Sequence, residues 1–128
     1  LDCVDSKGGY LGGAIHPGMA ISLDALAQNT AKLPRTELGV QHTPVIGTNT
    51  AGAIRSGMLY GFGGMVDRMV SLFTKELQKT EEDMEVSVIA TGGMADLIAP
   101  YTSSIKTVDP ILTLTGLRLI YEQNRTGA

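Results

Sequence analysis

Apolar residues at 51, 54, 58, 62, 65, 69, 72 and 73 recur every three or four positions. That is the spacing of one helical face, and it predicts a long helix from about Thr48 to Lys79. Upstream, residues 1–6 (LDCVDS) alternate apolar and polar as a half-buried strand does. Lys7-Gly8-Gly9 has the chemistry of a hairpin turn, and Tyr10 to Ile15 reads as the returning strand, with Gly12-Gly13 marking a bend or a close neighbour. Pro17 stands where a helix takes its first residue, and Met19, Leu23, Leu26 and Thr30-Ala31 keep a helical period until Pro34 ends it. A polar stretch to Pro44 reads as loop.

Past the long helix, the charged run Lys75 to Glu85 reads as a solvated end. Glu85 to Ala90 (EVSVIA) is nearly continuous in apolar character and predicts a strand buried inside a sheet. Thr91-Gly92-Gly93 leads from it into a short helix, Met94 to Ala99, and a further strand is predicted over Ile105 to Val108. Asp109-Pro110 pairs an N-cap residue with a proline at the first helical position, opening a helix to about Asn124. Strands alternating with helices in this half imply a parallel part of the sheet, so the class is α/β.

Glycine complicates the long helix. It stands at 52, 57, 61, 63 and 64, and each interior glycine costs a helix about 1 kcal/mol relative to alanine. Ala53, Gly57, Gly61 and Gly64 form a stripe of small residues, which lets another backbone approach: the sheet, or a helix of a partner subunit. Across the chain glycine is 16 of 128 residues, about twice the usual ~7%. Proline and serine are not raised with it, so the excess signals tight turns and close approaches rather than disorder. Aromatics are only 5% and tryptophan is absent, which leaves methionine and small residues to fill the core.

The chain has the length of one domain. Its net charge of −3 argues against a nucleic-acid surface; Lys32 with Arg35, and Arg118 with Arg125, read as solvated faces. A single cysteine, Cys3, allows no internal disulfide and fits a reducing compartment. The longest apolar stretch, Ser56 to Val66, is bounded by Arg55 and Asp67 and falls short of the ~20 residues of a membrane span. No signal-peptide pattern is read, so a cytoplasmic location without membrane or nucleic-acid partners is expected. Leu1 falls inside a predicted strand, as if the chain were a piece of something longer.

Two places could hold chemistry. Thr91-Gly92-Gly93 lies at the carboxyl end of the best strand and before a helix, where α/β sheets bind nucleotides, although a simple tight turn explains it as well. Thr48-Asn49-Thr50 offers hydrogen-bonding groups at the head of the long helix; Thr48 or Thr50 serving as N-cap is the plainer role. His16 and His42 share no metal-ligand spacing with each other or with Cys3, and His16 reads as a structural or surface residue. Asp2 and Asp5 read as outward-facing strand residues, and Asp96 as a complement to its helix dipole. No nucleophile elbow or phosphate-binding P-loop is present, and no residue stands out as a general base.

Four segments in order, YLGGAIHPG, IGTNTAGAIRSGMLYG, VIATGG and VDPILTLTGL, resemble the C-terminal half of a type III pantothenate kinase. The resemblance runs along essentially all 128 residues. It implies the acetate-kinase, sugar-kinase, Hsp70 and actin superfamily, in which two ribonuclease-H-like halves enclose a cleft. Residues 1–128 would then be one such half, with a mixed sheet flanked by helices and its first strand or strands missing. The implied reaction transfers the ATP γ-phosphate to pantothenate, the first step of coenzyme A synthesis. The implied enzyme is a cytoplasmic homodimer using Mg²⁺ and a monovalent cation, K⁺ or ammonium.

The family's pantothenate-contacting threonine, in an Asn-Thr-x-x-Ala segment, corresponds to Thr50, with Asn49 beside it. Gly92 and Gly93 match the superfamily's adenosine-binding glycine pair. The family's Asp-x-Gly-Asn-Thr phosphate loop is absent, and so is its Gly-Ala-Asp-Arg segment, whose aspartate is the general base. The Gly-Thr-Ala-Thr turn and the aspartate that holds the monovalent cation are expected just before Leu1. These 128 residues alone are therefore expected to be inactive, and the intact protein to be a kinase. Two alternatives stand on the same scaffold: a kinase-like accessory protein for transcription, and a non-catalytic dimerisation fragment.

Overall fold

One long helix carries the core and the contacts that position the candidate site. The computed structural model describes residues 1–29, 34, 36–39, 43–79 and 84–125. The order is β1 (Asp2–Val4), β2 (Tyr10–Gly13), α1 (Met19–Asn29), α2 (Thr50–Leu77), β3 (Ile89–Ala90), α3 (Ala95–Ile98) with a 3₁₀ turn at Ala99–Tyr101, β4 (Thr107–Val108) and α4 (Leu112–Arg125). The molecule is mixed α/β, as the alternation of elements predicts.

β1 and β2 form the expected antiparallel hairpin, with a bulge between Cys3 and Val4. Its turn is closed by Asp5, whose Oδ1 accepts the N–H groups of Lys7 (2.8 Å) and Gly9 (2.7 Å). β3 and β4 pair in parallel, Ile89 with Thr107 and Ala90 with Val108. The two pairs are separate two-stranded sheets rather than one mixed sheet. Asp109 continues this second sheet by donating its N–H to the Ala90 carbonyl (2.9 Å), and its Oδ1 accepts from Ile111 N–H (2.9 Å) in the turn before α4. The helix thus begins two residues later than predicted, at Leu112, and Asp109 closes the turn before it rather than capping it.

The buried strand predicted over Glu85 to Ala90 is shorter and more exposed than its composition suggests. Only Ile89 and Ala90 are in a ladder, and Ile89 is 54% exposed. An apolar run is buried on both faces only where strands flank it and layers cover it; here one two-residue strand flanks it.

The core is where α1, α2 and α3 meet. Met19, Met58 and Ile98 are buried together, with Leu23, Ile54, Phe62 and Tyr101 packed around them. Two of the three central residues are methionine, as a chain poor in aromatics requires. Of the apolar stripe of α2, Ile54, Met58 and Phe62 face this core, whereas Phe73 lies against the hairpin and the segment before β3, and Leu72 is exposed.

The stripe of small residues faces the other way. Ala53, Gly57, Gly61 and Gly64 are all exposed, and a Cβ at 57, 61 or 64 would meet nothing within 4 Å. Among the described residues, neither sheet reaches this stripe. The close approach occurs at Gly63, where an added Cβ would lie 2.0 Å from the Tyr101 carbonyl oxygen. Only glycine lets the 3₁₀ turn rest there.

Candidate functional site

Asn49 caps α2. Its backbone is extended (φ −146°, ψ 167°) and its Oδ1 accepts the Gly52 N–H at 2.8 Å. The cap therefore falls on Asn49 rather than on Thr48 or Thr50. All three side chains suit a cap, and the backbone conformation decides between them. Thr50 becomes the first helical residue, with an exposed side chain not taken up by the cap. The first turn of α2 carries no acidic residue, so the partial positive charge of the helix start is not offset by a neighbour.

The loop leading to Asn49 is strapped along the same helix. The Ser56 hydroxyl donates to the Val45 carbonyl, and the Tyr60 hydroxyl donates to the Thr43 carbonyl at 2.8 Å. Gly47 lies so close to the backbone of Gly52 and Ala53 that a Cβ would come within 2.3 Å of the Ala53 nitrogen. These contacts place Asn49 and Thr50 on a held backbone with their side chains exposed. The sequence offered one sign of the strap: Ser56 and Tyr60, hydroxyl groups one turn apart on a mostly apolar helix.

The second spot is the turn between β3 and α3. Gly92 has φ +96°, in the left-handed region that favours glycine, and its carbonyl accepts from Ala95 N–H at 3.0 Å. Residues 91–94 are exposed, and nothing lies within 4 Å of a Cβ built at Gly92 or Gly93. The segment that follows reaches α2 through Ile98 against Met58 and Tyr101 against Tyr60, whose rings meet edge to face at 5.0 Å. Thr50 lies eight residues before Met58, about 12 Å along the helix axis at ~1.5 Å per residue. The two candidate spots thus share α2 as their support and are staggered along it.

Sequence reasoning missed two further features. A cleft of about 340 Å³ opens between the end of the hairpin and α2, lined by Leu1, Asp2, His16, Met19, Phe62 and Ile98 among others. His16 is exposed at its rim, with Nδ1 2.8 Å from the Pro17 carbonyl oxygen and its ring edge-on to Phe62 at 5.4 Å. That fits the structural or surface role expected of it; His42 lies outside the described residues. Asp2 and Asp5 are engaged locally, Asp2 accepting from the Tyr10 hydroxyl at 3.2 Å.

The other feature is Asp67. Its carboxylate accepts from Ser103 N–H (2.8 and 3.0 Å to the two oxygens), Ser104 N–H (2.9 Å) and the Ser103 hydroxyl (2.8 Å). The backbone N–H of Ser103 is the main influence holding its pKa down at about 2; desolvation is the chief opposing effect, and the serine hydroxyl and Ser104 add to the lowering. Asp67 and Ser103 are 36 positions apart, so no local pattern announces the pair.

Among the described residues no group of three or more His, Cys, Asp or Glu is placed to hold a metal ion. No described helix is long and apolar enough to cross a membrane.

Comparison with known proteins bears on what these groups serve. A family model described as type III pantothenate kinase matches residues 1–72. A protein of Rubrobacter xylanophilus named type III pantothenate kinase is 45% identical over 125 residues, 98% of this chain and 47% of that protein. Proteins of the same name from Desulfotalea psychrophila and Desulforapulum autotrophicum are 50% and 49% identical over 94% and 96% of this chain, and over 44% and 45% of their own lengths. The chain spans slightly less than half the length of these relatives.

Proposed function

Because the chain belongs to the type III pantothenate kinase family, we propose that the whole protein moves the γ-phosphoryl group of ATP onto the hydroxyl of pantothenate, opening coenzyme A synthesis. The observation that carries this reading is the match over residues 1–72, together with relatives of that name aligned along nearly the whole chain. In the reaction the pantothenate oxygen bonds to the γ-phosphorus, the bond to the β,γ-bridging oxygen breaks, and ADP leaves. Catalysis of this kind is mostly positioning and charge stabilisation. The general base, by the family resemblance an aspartate, comes from outside these 128 residues. The kinase-like transcription factor reading finds no support in the names of the relatives, and the dimerisation fragment remains secondary.

Within this reading each candidate group has a place. Thr50 presents its hydroxyl to pantothenate from the start of α2, where unbalanced helix-end charge suits a carboxylate-bearing substrate. Asn49 contributes mainly by fixing that start, since its Oδ1 is committed to the Gly52 N–H. Gly92 and Gly93 give adenosine an open, side-chain-free surface, a fit supported by the empty space at both. ATP supplies the phosphoryl group. Among the described residues no cluster of three or more His, Cys, Asp or Glu is placed to hold Mg²⁺, and no step is assigned to a cation through them. The half-domain reading, ribonuclease-H-like within an actin-like fold, agrees with the mixed α/β order. A cytoplasmic homodimer completes the proposal, with the exposed small-residue stripe of α2 as the face open to a partner.

The test is steady-state kinetics on the full-length protein. Thr50→Ala is expected to raise the KM for pantothenate about tenfold, the scale of one lost hydrogen bond to substrate, with a smaller change for ATP. Equal effects on both substrates, or none, would remove Thr50 from the pantothenate site.

A further inference from the structure

The turn that carries Gly92 and Gly93 stands open: residues 91–94 are exposed, and a Cβ built at either glycine meets nothing within 4 Å. Apart from the bond from Ala95 N–H to the Gly92 carbonyl (3.0 Å), its place in the molecule is set by the segments that flank it. On one side is β3, which pairs with β4 through Ile89–Thr107 and Ala90–Val108 and is extended by Asp109 N–H on the Ala90 carbonyl (2.9 Å). On the other is α3 with its 3₁₀ turn, and that segment leads on to β4. Both flanks therefore depend on one stretch, residues 95–109.

That stretch meets α2 at three levels. Ile98 packs on Met58, the Tyr101 carbonyl sits over Gly63, and Ser103 and Ser104 close on Asp67. The first two are packing contacts. The third is directional, with two N–H groups and a hydroxyl donating to one carboxylate, and it is the hold nearest to β4. Among the described residues no Lys or Arg pairs with Asp67, so its charge serves this loop. Thr102 stiffens the loop from within: its hydroxyl donates to the Ala99 carbonyl (3.2 Å) and accepts from Ile105 N–H (3.3 Å). A hydrogen-bonded series thus runs from Asp67 through 103–105 and the β4–β3 ladder to residue 90, immediately before the turn.

We propose that Asp67 is a positioning residue for the turn at 91–94: through Ser103 and Ser104 it fixes β4, through β4 it fixes β3, and so it sets where Gly92 and Gly93 present their backbone to a nucleotide. That the turn takes adenosine rests on the kinase reading; that Asp67 fixes the turn does not. Asp67 itself touches no ligand in this arrangement. Thr50 lies seventeen residues before it, about 25 Å along the helix axis at ~1.5 Å per residue, and the head of α2 has its own cap in Asn49. The effect of Asp67 is accordingly one-sided, reaching the nucleotide and not pantothenate. Small displacements matter here, since about 1 Å of misplacement caused far from the chemistry can cost about a hundredfold in rate.

The test uses the full-length protein and two measurements. In Asp67→Asn, amide hydrogen exchange without nucleotide is expected to quicken about tenfold or more at Ala95 and Asp109. Gly52 and Ala53, bonded to Asn49 at the head of α2, are expected to exchange as in the parent. Steady-state kinetics are expected to show the KM for ATP raised about tenfold and the KM for pantothenate within about twofold of the parent. Ser103→Ala keeps both backbone donors and is expected to give the same pattern at smaller size, which preserves the test if Asp67→Asn folds poorly. Asp67→Glu retains a carboxylate and is expected to recover part of the KM for ATP. The proposal is overturned if exchange quickens only at 103–104, if it quickens equally at Gly52 and Ala53 as a general loss of stability would make it do, or if both KM values move together. Exchange at Ala95 and Asp109 requires no activity, so a parent protein that fails to phosphorylate pantothenate would count against the kinase reading while exchange still decides the role of Asp67.

Discussion

Asp67 carries out, in one side chain, a connection that two elements cannot make alone. It joins the middle of α2 to the start of the loop that leads into β4, and four hydrogen bonds converge on its two oxygens. Its folded pKa of about 2 lies below the 3.8 of a free aspartate. The stability it contributes is therefore complete above about pH 4 and is lost as pH falls towards about 2. Asp67→Asn is expected to lower stability near neutral pH and to flatten the fall of Tm across that acid window. Thermal melts of both proteins between about pH 5 and about pH 2 check this, and parallel curves would show that the carboxylate is not what holds the loop. Asn49 teaches a related lesson about single residues. Thr48, Asn49 and Thr50 all have side chains fit to cap a helix, so composition names the cap region and only the extended φ of Asn49 chooses among them.

At the scale of elements, α2 was the most legible part of the chain, because its apolar period is local and long. What its period could not convey was the purpose of each glycine. Gly63 is there for the Tyr101 carbonyl, whereas Gly57 and Gly61 look onto open space. Gly63→Ala is expected to destabilise the fold by about 1–3 kcal/mol through overpacking. Gly57→Ala and Gly61→Ala are expected to stabilise it by up to about 1 kcal/mol each through helix propensity. Urea unfolding of the three variants decides the matter: a Gly63→Ala protein as stable as the parent would mean that the 3₁₀ turn does not rest on the helix. Gly61→Leu separates folding from association, since it is expected to leave melting unlowered, with a small gain from helix propensity, while weakening any dimer that uses this face. The strand at 85–90 was legible in type and not in extent. Periodicity reports the character of a segment, while the length of a ladder depends on which strands lie beside it.

For the whole molecule, class and family were readable from order and motif: the hairpin, the strand–helix alternation and the four family segments are all features of local sequence. The clasp between residues 67 and 103, the strap from 43–45 to 56–60 and the separation of the two sheets are contacts between distant positions, and hydrophobic patterning does not encode them. α4 shows the cost of that incompleteness. Leu114, Leu117, Ile120 and Tyr121 are all more than half exposed, and its polar side carries a surface Arg118–Glu122 pair at 3.9 Å, which is worth little. A helix of this length is marginal in water unless its apolar face is covered. The 128-residue chain is expected to self-associate at micromolar concentration, and Leu114→Gln with Leu117→Gln to reduce that association. Sedimentation velocity measures it, and a wild-type chain that stays monomeric as concentration rises would contradict it.

The attachments along α2 also determine where the chain can tolerate a change in length. Ser56, Tyr60, Gly63 and Asp67 are spaced by four, three and four residues, so they share one line down the helix, and through them it holds residues 45, 43, 101 and 103. The stretches between these anchor points can gain or lose residues and still return to the same latch. A single residue inserted between Tyr60 and Gly63 would rotate everything below it by about 100° and advance it by about 1.5 Å. The upper latches would then face one way and the lower ones another. Natural variation in length should therefore collect in the connections and leave the count from residue 56 to residue 67 untouched.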